Sequence, residues 1–159
     1  MLNKLNIEVA KFASDSEFRP AITGLLITGE KTVATDSFRL VEITRPVKGE
    51  HEPLIVNAKE LLKKVKIPKG GDIVELHELS SVSKIYEKFP DYEKVIPTGE
   101  PKAEFSVNGL FLAEIAKLLG KVNGIAKINI KVYGPGDPIV IEAKNDEQSA
   151  RALLMPLRS

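Results

Sequence analysis

Ala103-Glu104-Phe105-Ser106-Val107-Asn108-Gly109-Leu110-Phe111-Leu112-Ala113-Glu114-Ile115-Ala116-Lys117-Leu118-Leu119-Gly120 is the stretch that decides the fold. Residues 103–107 read as a strand. Asn108 offers a side-chain oxygen to the orphan amides of a first helical turn. Leu112, Ile115, Ala116 and Leu119 then recur at helical spacing, and Gly120 closes the helix. Strands are expected at 126–132, 139–143 and 151–157, the first two joined through Gly134-Pro135-Gly136-Asp137, whose composition is that of a turn. The unit is therefore strand, short helix, strands.

The same rhythm returns twice toward the N-terminus. Leu54-Ile55-Val56 is a short strand and Asn57 a helix cap with Glu60 three residues on. Leu61, Leu62 and Val65 form that helix's buried face, and Pro68 with Gly70-Gly71 stops it. Alternation over 73–79 and 82–86 predicts two half-buried strands. Further upstream, Leu2, Leu5, Val9 and Phe12 give a helix over 2–13 its apolar face, ended by Ser14-Asp15-Ser16 and Pro20. Strands follow at 21–28, 32–36 and 39–44, with a tight turn at Gly29-Glu30 and a polar loop from Pro46 to Pro53. This first copy lacks a leading strand. The expected class is α+β, and the repeat is one of pattern, since identity between copies is low.

Composition narrows the function classes. A chain of 159 residues with 43% apolar residues can bury a core, and its length suits about one domain or one and a fragment. Lys and Arg number 23 against 22 Asp and Glu, a net charge of +1, so any nucleic-acid contact must come from local charge placement. The absence of cysteine excludes disulfides, thiolate nucleophiles and Cys-ligated zinc. No apolar run approaches the ~18 residues of a membrane span. The N-terminus shows no signal pattern, so no membrane association and a cytoplasmic location are expected.

Catalytic chemistry finds no foothold. His51 and His77, the only histidines, lie in unrelated segments with no ligand-spaced cluster around them. His77 alternates with Glu75 and Glu78 and reads as solvated. There is no nucleophile elbow, P-loop or dinucleotide fingerprint. Asp36 and Asp91 make an imaginable carboxylate pair that nothing in the sequence places together. The expectation is a non-enzyme without metal or cofactor. Two apolar features remain. Phe89-Pro90-Asp91-Tyr92 sits in a connector just before Val95, Ile96 and Pro97, and Leu153-Leu154-Met155-Pro156-Leu157 is a run interrupted by proline. A buried edge strand ended by proline accounts for the second. So does the lip of a greasy groove adapting to peptide side chains.

Three motifs carry a resemblance. Thr32-Val33-Ala34-Thr35-Asp36-Ser37-Phe38-Arg39-Leu40, then Phe89-Pro90-Asp91-Tyr92-Glu93-Lys94-Val95-Ile96-Pro97, then Met155-Pro156-Leu157-Arg158 resemble, in that order, the bacterial DNA polymerase III beta sliding clamp. Residues 1–97 resemble that family's middle domain and 98–159 mainly the closing part of its last domain, the alternative being one unit over 1–159. Ser37-Phe38 stands where the family usually has Gly-His. The resemblance implies a DNA-clamp fold in which helices lie on one face of antiparallel sheets and line a hole around DNA. It implies a peptide pocket walled by Thr35, Phe38, Arg39 and Leu40, by Pro90, Lys94 and Val95, and by Leu153, Leu154, Met155, Pro156 and Leu157.

The DNA-facing surface it implies comprises Lys4 and Lys11, then Lys59, Lys63 and Lys66, then Lys117 and Lys121. Any one exposed lysine is ordinary, often paired with glutamate as at Glu8 and Glu114. Recurrence on three helices is what favours a phosphate-facing surface. The implied partners are double-stranded DNA without sequence preference, DNA polymerase and clamp-loader peptides, and further copies of the chain. Three halves read here against the twelve of a family ring favour a tetramer over a hexamer. The alternative function is a non-ring module that captures clamp-binding peptides as a regulator or decoy.

Overall fold

Four short strands, Gly24–Ile27 (β1), Lys31–Thr35 (β2), Leu40–Thr44 (β3) and Leu54–Asn57 (β4), pair antiparallel in the order β3-β2-β1-β4. The register sets Leu26 against Val33 and Ile55, and Ala34 against Val41. They belong to the first of two compact units, Met1–Ile96 and Pro97–Ser159, in a computed structural model that describes residues 1–66, 72–134 and 136–157. A Cβ on Gly24 would collide with the Ile55 side chain, so glycine is what lets β1 and β4 approach.

Every residue of β1 is buried, because this sheet is covered on both faces. On one face Leu25, Ile27 and Ala34 pack with Ile7 of helix α1 (Lys4–Glu8), with Val9 and Ala10 just after it, and with Leu61 of α2 (Ala58–Lys64). On the other, Leu26, Val33 and Ile55 receive the Phe89 ring. Asn57 caps α2 as expected, its side chain accepting from the Glu60 amide at 3.0 Å.

The N-terminal helix is shorter and differently phased than its apolar spacing predicts. It spans Lys4–Glu8 and tightens into a 3₁₀ turn over Val9–Phe12, leaving Leu5 55% exposed while Asn6 is fully buried. The cause is polar. Asn3 and Asn6 cap each other reciprocally, and the Asn6 amide donates to Thr32 Oγ1 at 3.1 Å and the carbonyls of Ile43 and Thr44 at 3.3 and 3.1 Å. This rotates Asn6 inward and Leu5 outward. Leu2 leaves the helix for an antiparallel bridge to Val74.

The strand expected over 21–28 begins as a 3₁₀ turn at Pro20–Thr23, since Pro20 at its start withholds an amide from the sheet. The strand expected over 73–79 is a 3₁₀ helix, Leu76–Ser81, after the Val74 bridge. Its entry is fixed when the Glu75 amide donates to the Glu78 carboxylate at 2.8 Å, and Leu76 and Leu79 then reach the core at i,i+3. Residues 82–86 make a single bridge, Lys84 to Val56. Pro68, Gly70 and Gly71, read as the stop of α2, lie outside the described residues.

In the second unit Gly109–Leu119 (α3) covers one face of an antiparallel sheet of Asn129–Lys131 (β5), Ile139–Lys144 (β6) and Ser149–Leu154 (β7), in that order. Leu119, Ile139, Ile141, Ala143 and Leu154 are its buried apolar side chains. The opposite face carries Glu142, bridged to Lys131 at 2.6 Å and Arg151 at 2.8 Å. Residues 103–107 do not form the expected strand. Their hydrogen bond to the tail is Leu157 N–H to the Ser106 carbonyl at 2.7 Å, too little pairing for a ladder. Pro135 of the expected turn is outside the described residues. Among those described, no helix is long and apolar enough to cross a membrane. The architecture is α+β with antiparallel sheets.

Candidate peptide-binding site

The Thr35–Leu40 hairpin is built by its own side chains. Asp36 accepts the amides of Phe38 and Arg39 at 2.9 and 2.8 Å, while its other oxygen takes Arg39 Nε and Nη2 at 2.9 and 2.6 Å. The Arg39 side chain first, then the two amides, hold its carboxyl at about 2. Thr35 Oγ1 donates to the Arg39 carbonyl at 2.7 Å and accepts from the Ser37 amide at 3.1 Å. Ser37 sits at the bend with φ +77°, a left-handed backbone that few non-glycine residues adopt. Phe38 beside it is 95% exposed. Arg39 is anchored again from behind, its guanidinium 5.2 Å from the centre of the Phe12 ring.

The connector at 89–95 forms the facing wall. Phe89 is its root, buried on Leu26, Val33 and Ile55 and edge-to-face with Tyr92 at 6.1 Å. Lys31 lies 5.3 Å from the Tyr92 ring centre and bridges Glu42 at 2.9 Å, and the Glu42 hydrogen bond leads the causes that raise its ammonium pKa. Pro90 then precedes a 3₁₀ helix, Tyr92–Val95, that ends on Val95.

Between hairpin and connector lies a groove of about 580 Å³. Of the predicted residues, Thr35, Phe38, Arg39, Leu40, Pro90 and Val95 line it. Lys94 does not; it turns to Asp91, 2.7 Å away. The Pro20–Thr23 turn adds Pro20, Ala21 and Ile22, with Arg19 at its rim. Sequence reasoning missed these. Their signal is Pro20 opening an apolar stretch, which in the sequence reads only as a helix stop. Beyond the same connector a larger depression of about 870 Å³, reaching His51, Leu54 and Tyr86, takes only Pro90 from the predicted set.

The tail residues collect in the second unit. Leu153, Leu154, Met155, Pro156 and Leu157 border a depression of about 470 Å³ together with Asn108, Phe111, Glu114 and Ile115 of α3. Leu154 is buried as an anchor, while Leu153, Met155 and Leu157 are exposed. The edge-strand reading describes this segment as far as Leu154, where β7 ends, and the residues beyond it border the depression. Asn108 caps α3 as expected, accepting from the amides of Leu110 and Phe111 at 2.9 and 3.3 Å. That it also borders the depression had no sequence signal. Arg158 lies outside the described residues.

The implied DNA-facing lysines, Lys4, Lys11, Lys59, Lys63, Lys66, Lys117 and Lys121, are all exposed. Lys11 bridges Glu8 at 2.9 Å and Lys59 bridges Asp15 at 3.1 Å. Lys66 lies beyond the C-terminal end of α2, and Lys121 beyond that of α3.

Asp36 and Asp91 serve separate partners, Arg39 and Lys94, and so form no acid–base pair. His77 is exposed on the 3₁₀ helix. His51 Nε2 lies 2.6 Å from Arg45 Nη1, and since guanidinium only donates, the imidazole accepts. Among the described residues no group of His, Cys, Asp and Glu is gathered as a metal site would require.

No family model matches the sequence, and no curated protein does. Solved structures do match. A DNA polymerase sliding clamp from Pseudomonas aeruginosa superposes with a TM-score of 0.69 at 17% identity, over 98% of this chain and 50% of that one. The sliding clamp from Bacillus subtilis gives 0.69 at 18% identity, over 96% and 46%. A DNA polymerase III beta chain from Streptococcus pneumoniae gives 0.64 at 17% identity, over 98% and 47%. The fold is that of the sliding clamps, and the chain spans about half the length of those it matches.

Proposed function

We propose that the chain is a sliding-clamp-like DNA processivity factor. It encircles duplex DNA as a homo-oligomer, a tetramer ahead of a hexamer, and recruits polymerase, clamp-loader or repair partners through short linear peptides. It catalyses no reaction and needs no cofactor. The observation that carries this reading is the groove between the Asp36–Arg39 hairpin and the Phe89-rooted connector, on a chain whose fold matches sliding clamps over nearly its whole length. Its apolar lining residues Ile22, Leu40, Pro90 and Val95 suit apolar anchors, and the polar groups beside them suit an extended backbone. In the second unit, the depression bordered by Leu153 to Leu157 offers a further apolar surface for such anchors.

DNA is met through charge alone. Lys4, Lys11, Lys59, Lys63, Lys66, Lys117 and Lys121 neutralise phosphates and release counterions, which gives sequence-independent binding that salt weakens steeply. The surface ion pairs of Lys11 and Lys59 are worth little in water and give way to phosphate. Light scattering over a concentration series, with and without duplex DNA, tests encirclement. The expected result is a closed oligomer. A monomer persisting at high micromolar concentration removes the ring and leaves the non-ring module, a regulator or decoy that captures clamp-binding peptides.

A further inference from the structure

The segments that lead into the capped helices keep different company in the two units. In the first, β4 precedes the cap Asn57 and is bonded on both edges. Leu54 and Val56 pair with Ile27 and Leu25 of β1, and the Ile55 carbonyl takes the Ile85 amide on the other side. In the second, residues 103–107 precede the cap Asn108, and the Ser106 carbonyl takes the Leu157 amide at 2.7 Å. Successive residues of an extended chain aim their amides and carbonyls at opposite edges. Those of Phe105 and Val107 are therefore free for a strand in the place that β1 has in the first unit.

β5 is the counterpart of β1, the first strand after a helix, and its outer edge is equally free among the described residues. Its helix-side face is poorly covered too. Ile130 lies opposite the buried Ile141 yet is 53% exposed, and Val132 is 41% exposed. α3 sets Phe111 and Ile115 beside the tail after β7, while Gly109, Ala113 and Ala116 make a stripe of small residues on another flank. The two openings lie at opposite ends of the order 103–107, β7, β6, β5, so one copy of this sheet cannot close them on itself. Two copies related by a two-fold axis can.

We propose that the second unit is half of a domain completed by a second copy: residues 103–107 of each chain add as a strand to the free edge of β5 in the other. The first unit's register, carried over, sets Val107 against Ile128, Phe105 against Ile130 and Glu104 against Lys131 of the second copy. The last pair is complementary in charge. Glu142 alone holds both Lys131 and Arg151, and Glu104 brings that ladder a second carboxylate. This interface rests on the homo-oligomer reading and names one of its contacts; a pair joined this way is half of the tetramer.

The same register puts Ser106 beside Asn129 of the second copy, and the chain has no cysteine of its own. Full-length Ser106→Cys/Asn129→Cys, mildly oxidised, is expected to run as a covalent dimer on a non-reducing gel, and each single variant as a monomer. Ile130→Glu, at a position exposed in the single chain, is expected to keep the circular-dichroism spectrum. It should raise the concentration at which light scattering detects association on the order of tenfold or more. A locked dimer together with that loss supports the interface. A locked dimer that assembles no further, with or without DNA, supports the interface and overturns the ring. Oligomers that Ile130→Glu leaves intact and the cysteine pair fails to lock overturn this interface and leave the homo-oligomer reading standing. A wild type that stays monomeric at high micromolar concentration, with no cross-link in the double variant, overturns both.

Discussion

The two units solve the same problem with unequal means. In the first, one four-stranded sheet is covered by α1 and α2 on one face and by the Phe89 connector on the other. In the second, α3 covers one face of three strands and the other face is a charged ladder around Glu142. α3 also keeps Leu110 75% and Leu118 66% exposed. Burial is the main source of stability, so the first unit is the stable scaffold and the second the more easily opened one. The difference also shows how a groove wall is made. The Phe89 connector is held as a wall because its root is a core residue.

Removing that root gives the largest expected effect. Phe89→Ala deletes a ring packed on Leu26, Val33 and Ile55 and should cost about 3–5 kcal/mol, as large core truncations do. Urea denaturation measures the loss, and hydrogen exchange should show it in β1, β2 and β4. Unchanged protection there would mean that the second face of the sheet is not structural. Asn6→Ala comes next. It strips partners from Thr32 Oγ1 and two β3 carbonyls in a fully buried position, at a cost of about 2–3 kcal/mol by the same measurement.

The site itself separates the units by chemistry. Leu40→Asp puts a charge into the first-unit groove floor, and removing Met155–Leu157 deletes the second unit's lip. In isothermal titration with a Gln-spacer-Leu-Phe peptide, Leu40→Asp should abolish micromolar binding to the first unit's groove, and the deletion should abolish binding to the second unit's depression. Full affinity retained by either variant would remove that unit's surface from peptide docking. A smaller change is expected at the lysines of α2 and just beyond it. Reversing Lys59, Lys63 and Lys66 should flatten the log–log dependence of DNA binding on salt by about 0.9 for each phosphate no longer neutralised. An unchanged slope in a folded variant would exclude this surface from the DNA interface.

Legibility in the sequence followed local chemistry. Asn57 and Asn108 were readable as caps because the cap and the amides it serves are neighbours in the chain. β2, β3 and β6 were readable from alternation and β-branched residues. The phase of the first helix was not, because Asn6 is turned inward by partners on β2 and β3, 26 to 38 residues away. Nor was the 3₁₀ helix at 76–81, where apolar spacing fits both a strand and an i,i+3 turn and the Glu75–Glu78 contact decides. The groove residues of the Thr-Asp hairpin and the Phe89 connector were reached through motif order, while Pro20, Ala21 and Ile22 join them only through the sheet's tertiary path.

The smallest expected effect concerns pH and again falls on the first unit. Asp36, held at about 2 by Arg39 and two amides, titrates below the ordinary range of an aspartate. A carboxyl depressed on folding contributes stability that is complete above its unfolded value, near 4, and disappears as the pH falls toward the folded value. The hairpin should therefore loosen between pH 4 and 2. Asp36→Asn keeps an acceptor for the Phe38 and Arg39 amides but loses the charge that binds the guanidinium. Its melting temperature should lie slightly below wild type at pH 6 and converge with it near pH 2. Since Asp36 is a surface group, the gap should be small and should shrink further in high salt. A gap that persists unchanged at pH 2 would show that the charge of Asp36 is not its source, and the Arg39 ion pair would then add nothing to the hairpin that frames the groove.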